Sequence, residues 1–133
     1  AAGAGAVVLT TDSVDVYNDK CVRSTAGSLF HLPIVSAVES GQMLDAARTA
    51  GLSVVATSAS GRPLNAPDVA AVIAGPVFWL FGSEAHGLPE EALAAADMTL
   101  AVPIYGQAES LNLAAAAAVC LYASAMARKS AGP

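Results

Sequence analysis

The chain has 133 residues, is 55% hydrophobic and 13% charged, and carries a formal net charge of −5. That length predicts one domain, residues 1–133, with enough apolar material for a core and more than a small monomer usually hides, so an oligomer interface is expected. The acidic balance argues against this piece alone being a strong nucleic-acid binder, although it leaves room for a local contact.

Ala1-Ala2-Gly3-Ala4 reads as the tail of a helix ending at a glycine cap, so an N-terminally truncated domain is expected. Ala6–Thr10 is a short β-rich apolar run that predicts a buried parallel strand. Val14 to Ala26 predicts a helix with Lys20 and Arg23 exposed, and a second strand lies around Ile34–Val38. Ser40 is placed to cap a helix from Gln42 to Ala50, closed by Gly51. Leu52–Thr57 is a third strand, Ser58–Pro63 a loop at its end, and Ala66-Pro67-Asp68 the start of a helical turn. Pro76–Phe81 is a fourth strand, followed by the loop Gly82–Leu88.

Pro89, Glu90 and Glu91 suit a helix start, and Ala96-Asp97 ends that helix. Met98–Ile104 is a fifth strand, and Tyr105–Asn112 a polar loop. The last helix runs from Leu113 to Ala127 and is apolar around most of its circumference, which predicts burial on more than one side. The alternation of strand and helix gives an α/β fold with a largely parallel sheet and helices on both faces. Ligands in such folds sit beyond the carboxyl ends of the strands. The loops Thr57–Arg62, Gly82–Leu88 and Tyr105–Asn112 leave such ends and converge on one candidate pocket.

Cys21 and Cys120 are far apart and without partners at metal-ligand spacing, so both are expected to be free thiols and no metal site is proposed. No secretory signal is read at the start, and Leu113 to Ala123 is shorter than the roughly 18 residues that span a bilayer, so a cytoplasmic protein is expected. Gly82 and Gly87 allow backbone close to a ligand, and Glu84 between them can accept hydrogen bonds or fix a basic group. The same loop also reads as a plain strand-to-helix turn. It lacks the Lys-Ser/Thr of a P-loop and the glycine pattern of a dinucleotide fold. Ser110 and Asn112 stand at a helix N-terminus, where free amides favour electron-rich ligands, and Ser110 also reads as a simple cap. His86 and His31 are read as ordinary loop and structural histidines, Phe78 and Trp79 as core, and no Gly-x-Ser-x-Gly elbow marks a serine hydrolase.

Three stretches carry a resemblance. Phe81-Gly82-Ser83-Glu84-Ala85-His86-Gly87-Leu88 resembles the second motif of the SpoU/TrmH family of SPOUT RNA methyltransferases. Val102-Pro103-Ile104-Tyr105-Gly106-Gln107-Ala108-Glu109-Ser110-Leu111-Asn112-Leu113-Ala114-Ala115-Ala116 resembles the third, and Thr11 to Pro33 resembles the segment between the first and second. The resemblance implies a C-terminal deep trefoil knot, a homodimer, and S-adenosylmethionine-dependent methyl transfer to a ribose 2′-hydroxyl of tRNA or rRNA. It implies that Thr57, Ala59, Phe81, Gly82, Glu84, Gly87, Leu88, Ile104, Ser110, Leu111 and Leu113 line the cofactor pocket. Glu84, Ser110 and Asn112 match the family's functional polar positions, with Glu84 expected to hold a basic residue, and Arg23 is a candidate RNA-phosphate contact. Ala85 and Ala114 depart mildly from the pattern. The first motif, with its Asn-Pro-Gly-Asn-type loop and an arginine that activates the ribose hydroxyl, is expected before residue 1, so this chain alone is expected to be inactive. The competing expectation is a non-catalytic cofactor-binding and dimerisation module of an RNA-binding protein.

Overall fold

The computed structural model describes residues 1–132. The chain divides into two compact units, with the boundary inside one helix: residues 3–45 with Ala1, and residues 46 onward with Ala2.

The first unit holds β1 (Val7–Thr10) and β2 (Ile34–Val38), paired in parallel with a register shift between Val8 and Thr10. Helix α1 (Asp19–Ser24) is much shorter than the expected Val14–Ala26. Its late start has a local cause. The Asp15 carboxylate accepts the Tyr17 N–H at 2.9 Å, an Asx turn that competes with helix, and Asn18 then caps by accepting the Cys21 N–H at 2.9 Å. Its early end is equally local. Ser24 and Thr25 turn their hydroxyls back onto the Cys21 and Val22 carbonyls, and Ala26 takes a positive φ of 47°. A 3-10 turn at Ser28–His31 buries Leu29 and leads into β2.

Helix α2 (Ser40–Thr49) crosses into the second unit; Leu44 and Ala47, one turn apart, are its buried positions. It closes where expected, with the Gly51 N–H donating to the Arg48 carbonyl and the Leu52 N–H to the Ala47 carbonyl. The second unit is built on a three-stranded, all-parallel sheet in the order β4 (Val77–Leu80), β3 (Ser53–Pro63), β5 (Met98–Ala101). Val54, Val55 and Ala56 are fully buried. Successive strand residues point to opposite faces, so both faces of β3 are covered, as a parallel sheet requires. Asp97 starts β5 by acting as a strand partner twice, accepting the Val54 N–H on its carboxylate at 2.7 Å and donating its own N–H to the Val54 carbonyl at 2.9 Å. The strands pair as two parallel sheets, β1 with β2 and the three above, so the expected α/β class holds with the sheet in two parts.

The residues expected as a loop, Ser58–Pro63, belong to β3, but with an excursion. Thr57 and Arg62 both pair with Leu100, so residues 58–61 are looped out of the ladder. Gly61 ends that excursion against β5; a Cβ there would lie 2.6 Å from the Leu100 carbonyl carbon, so only glycine fits without a shift. Helix α3 (Val69–Ala74) continues the expected turn at Ala66–Asp68, with Val69 and Ile73 buried at helical spacing. Helix α4 (Glu90–Ala95) starts after Pro89 as expected. Helix α5 (Leu113–Ser130) runs three residues past the expected end and finishes with Arg128 and Lys129 in its last turn, where cations suit the dipole. Arg128 donates to the Ala74 and Gly75 carbonyls at 3.3 Å, tying the ends of α5 and α3 together.

The core of this unit joins Val55, Leu64, Val69, Ile73, Leu100 and Cys120, with Trp79 and Phe81 stacked beside it at 6.1 Å. The Trp79 indole N–H donates to the buried Ser124 hydroxyl of α5 at 3.0 Å, so the helix docks by one polar contact inside an apolar seam. Among the described residues only that side of α5 is covered. Val119, Tyr122 and Met126 stay exposed, so burial on more than one side is not met within the chain. Both cysteines are free thiols.

Two tests follow from this packing. Gly61→Ala should destabilise the chain by about 1–3 kcal/mol in urea unfolding through overpacking. Gly41→Ala, in open space on α2, should instead be neutral or stabilising by up to about 1 kcal/mol. Burial pushes the Cys120 thiol up from 9.0 to about 11. The unfolded chain therefore loses this proton first, and stability should fall as pH rises from about 9 towards 11. Urea midpoints measured across that range should fall more steeply for the native chain than for Cys120→Ala.

Candidate active site

Strands β3, β4 and β5 run parallel, so the segments leaving them emerge at one edge of the sheet. That edge is stitched from strand to strand. The Thr57 hydroxyl donates to the Leu80 carbonyl at 2.9 Å, which ties the start of the 58–61 excursion to the end of β4. The loop after β4 folds tightly on itself. Ser83 and Gly87 form an antiparallel bridge, the Gly87 N–H donates to the Ser83 carbonyl at 2.8 Å, and the His86 N–H reaches the Ser83 hydroxyl. Gly87 has a φ of 67°, and a Cβ on Gly82 would lie 2.0 Å from the Gly87 carbonyl carbon. Both glycines are therefore required by the loop's own path.

The loop's tip presents Glu84 to the third segment. Glu84 Oε1 accepts the Asn112 side-chain N–H at 2.9 Å and the Leu113 backbone N–H at 3.1 Å. Asn112 in turn caps α5, its Oδ1 accepting the Ala114 and Ala115 N–H groups at 2.9 and 3.3 Å. A carboxylate and an amide oxygen thus satisfy three first-turn amides of an 18-residue helix, at the end where its dipole favours negative charge. The cap is Asn112 and not Ser110, because the helix starts two residues later than a Ser110 cap would need. In this chain Glu84 bonds Asn112 and the helix amide, and no basic residue is bonded to it among the described residues.

Ser110 is exposed, and its hydroxyl makes no hydrogen bond among the described residues. Between Ile104 and Leu111 the backbone makes no backbone hydrogen bond among them either. Ile104 and Leu111 are 38% and 41% exposed.

The chain matches the SpoU rRNA Methylase family over residues 1–122. It belongs to that family. Among its relatives, the 23S rRNA (guanosine(2553)-2′-O)-methyltransferase RlmP of Bacillus subtilis is 37% identical over 123 residues, covering 92% of this chain and 48% of the relative. The 23S rRNA (uridine(2479)-2′-O)-methyltransferase of Streptomyces viridochromogenes is 36% identical, covering 92% and 43%. Among solved structures, the SpoU methyltransferase AviRb of S. viridochromogenes in complex with AdoMet superposes with a TM-score of 0.83 at 34% identity, covering 97% of this chain and 52% of that one. The chain therefore spans about half the length of the relatives it matches.

With the family in hand, the motif residues divide clearly. Glu84, Asn112 and Leu113 are in direct contact, and Thr57 joins the neighbouring strand end. Phe81, Gly82, Gly87 and Leu88 frame the middle loop, Ala59 sits in the excursion, and Ile104, Ser110 and Leu111 lie on the third segment. Arg23 is exposed in the last turn of α1, in the other unit. Two features were missed by sequence reasoning. The Asn65 side chain donates to the Tyr105 hydroxyl at 3.2 Å, and Arg62 pairs with Asp68 at 2.6 Å. Neither spacing is a local signature; only the fold brings Asn65 to Tyr105. Among the described residues no group of three or more His, Cys, Asp or Glu could hold a metal ion, and no helix is long and apolar enough to cross a membrane.

Glu84→Ala removes the acceptor that joins the loop to α5 and should cost about 1–2 kcal/mol in urea unfolding. Glu84→Gln keeps an oxygen acceptor and should retain at least about half of that stability. An alanine variant as stable as the native chain would contradict the contact's structural weight.

Proposed function

We propose that this chain is the core of an S-adenosylmethionine-dependent RNA 2′-O-ribose methyltransferase acting on tRNA or rRNA, and that residues 1–133 form one SPOUT-type domain. The observation that carries the reading is the Glu84 to Asn112 and Leu113 junction, which joins the family's second and third motifs at the carboxyl edge of a parallel sheet. The family match supports it, since it runs through both units, and so does the likeness to a structure solved with AdoMet.

The residues present fit the cofactor. Ile104 and Leu111 offer exposed apolar side chains for a purine ring, and the 104–111 backbone offers amides and carbonyls that no other backbone group engages among the described residues. The tight approach at Gly82 holds the middle loop in one path. Thr57, Ala59, Phe81, Gly87, Leu88 and Leu113 complete the proposed lining.

When bound, S-adenosylmethionine supplies a methyl group already activated on a sulfonium sulfur. The chain's task is then positional: to hold a ribose hydroxyl in line and help it lose its proton. Ser110 Oγ is free to hydrogen-bond that hydroxyl. Asn112 Nδ2 keeps one N–H after serving Glu84, and Glu84 Oε2 makes no hydrogen bond among the described residues. These three groups are the proposed orienting set, with Glu84 also fixing Asn112. Arg23 is the proposed contact to an RNA phosphate, where a guanidinium suits the oxygens.

The remaining features of the reading are a C-terminal trefoil knot, a homodimer and a cytoplasmic location. The motif resemblance supports the knot. The uncovered Val119, Tyr122 and Met126 on α5 support a partner copy there, because an apolar stripe on a long helix is costly to leave in water.

The deciding experiment is calorimetric titration of S-adenosylmethionine into the chain, followed by radiolabelled methyl transfer to tRNA and rRNA from the native chain within its whole protein and from Asn112→Ala. Binding is expected. Asn112→Ala should lose at least about tenfold in transfer while its stability falls by about 1 kcal/mol from the lost cap. No binding, or undiminished transfer by Asn112→Ala, would overturn the assignment; binding without transfer to any RNA would favour the dimerisation module instead.

A further inference from the structure

The turn of residues 62–68 connects the sheet to α3, and it also touches the loop that carries Ser110. Arg62 is where β3 rejoins β5. Its Nη2 lies 2.6 Å from both carboxylate oxygens of Asp68, closing the turn across its base. The Leu64 N–H donates to the Ala101 carbonyl at 2.8 Å, and the Ala66 and Val69 N–H groups to the Pro63 and Ala66 carbonyls, both at 3.0 Å. The turn is therefore internally fixed and anchored to β5. From it Asn65 reaches out to the Tyr105 hydroxyl at 3.2 Å.

That contact matters because of what the 104–111 loop lacks. It makes no backbone hydrogen bond among the described residues, and Tyr105 is 87% exposed, so its ring is not held by packing. Among the described residues the Asn65 amide is the polar tie on this segment before Asn112 reaches α5. Alongside it, Leu64, Val102, Pro103 and Leu111 line an open groove of about 470 Å³ between turn and loop.

We propose that Asn65 and Tyr105, with the turn clamped by Arg62 and Asp68, are positioning residues that preset the 104–111 loop for its ligand. The proposal rests on the reading that this loop holds S-adenosylmethionine. A loop left untied must be ordered when the ligand binds, at a cost of about 1–2 kcal/mol for each backbone residue fixed. A loop already tied has met part of that cost, and its ligand binds more tightly. Arg62 and Asp68 are exposed, so their direct contribution to stability is small; their effect is to hold the turn's shape. The Arg62 guanidinium holds the Asp68 carboxyl below its ordinary 3.8.

The test compares the native chain with Tyr105→Phe, Arg62→Ala, Arg62→Lys and the double variant Tyr105→Phe/Arg62→Ala. Three quantities are read: S-adenosylmethionine affinity, melting temperature, and cleavage at Glu109 by a glutamyl endopeptidase without ligand. Tyr105→Phe and Arg62→Ala should each weaken binding by about two- to fivefold, the loss expected of one net hydrogen bond, and speed Glu109 cleavage by a similar factor with little change in melting. Arg62→Lys should keep most of the native behaviour. The double variant should fall short of the product of the singles, because both act on one contact. Native cleavage at Glu109 in both single variants would overturn the proposal, as would acceleration only alongside a lowered melting temperature and cleavage at every other glutamate. Faster Glu109 cleavage in a chain that binds no S-adenosylmethionine would leave the brace standing and remove the methyltransferase reading.

Discussion

One carboxylate oxygen joins the two motif-bearing loops of this molecule. Glu84 Oε1 accepts from the side chain of Asn112 and from the first amide of α5. A helix N-terminus leaves its first amides without internal partners, and here the missing acceptors come from two residues 28 positions apart in sequence. The loop after β4 could not reach the helix unless it first doubled back, and it doubles back only because positions 82 and 87 are glycine. The geometry of one short loop with two glycines is thereby converted into the placement of an 18-residue helix.

The sheet beneath that junction is held in the same manner at both ends of its strands, by polar groups that substitute for missing strand neighbours. Thr57 ties β3 to the last carbonyl of β4, and Asp97 ties the start of β5 to Val54. Leu100 serves two β3 residues, so four residues leave the ladder without unravelling it. The Thr57 bond and the shared Leu100 pairing hold the strand ends from which the proposed cofactor loops depart, as a site that must align reacting atoms requires. The 104–111 segment is the contrast, short of internal bonds and tied from outside by Asn65.

Much of this was legible in the sequence. The alternation of apolar runs with helical stretches gave the parallel α/β class, Gly51 marked a helix end, and the Gly82–Leu88 and Ile104–Asn112 stretches were recognisable by motif. The errors share a physical origin. Helix α1 contracted because Asp15, Asn18, Ser24 and Thr25 satisfy backbone groups locally, an option that hydrophobic spacing does not register. The Ser58–Gly61 excursion read as a plain loop because a strand that leaves and rejoins its ladder has the same polar, small-residue composition. Ser110 was a reasonable cap by residue type, yet Asn112 won by standing next to the first helical residue with Glu84 in reach. Arg62 with Asp68 and Asn65 with Tyr105 had no sequence signal, since one is a six-residue turn closure and the other a long-range encounter.

The apolar character of α5 also gains a sharper meaning. Its inward side is accounted for by Cys120 and Ser124 against the core, while Val119, Tyr122 and Met126 remain in water. The central claim, however, concerns the junction at the other end of that helix. Nuclear magnetic resonance of the isotope-labelled chain during S-adenosylmethionine addition tests it most directly. The account predicts that amide shifts concentrate in Gly82–Leu88 and Ile104–Leu113; perturbations confined to other segments, or none at saturating ligand, would contradict it.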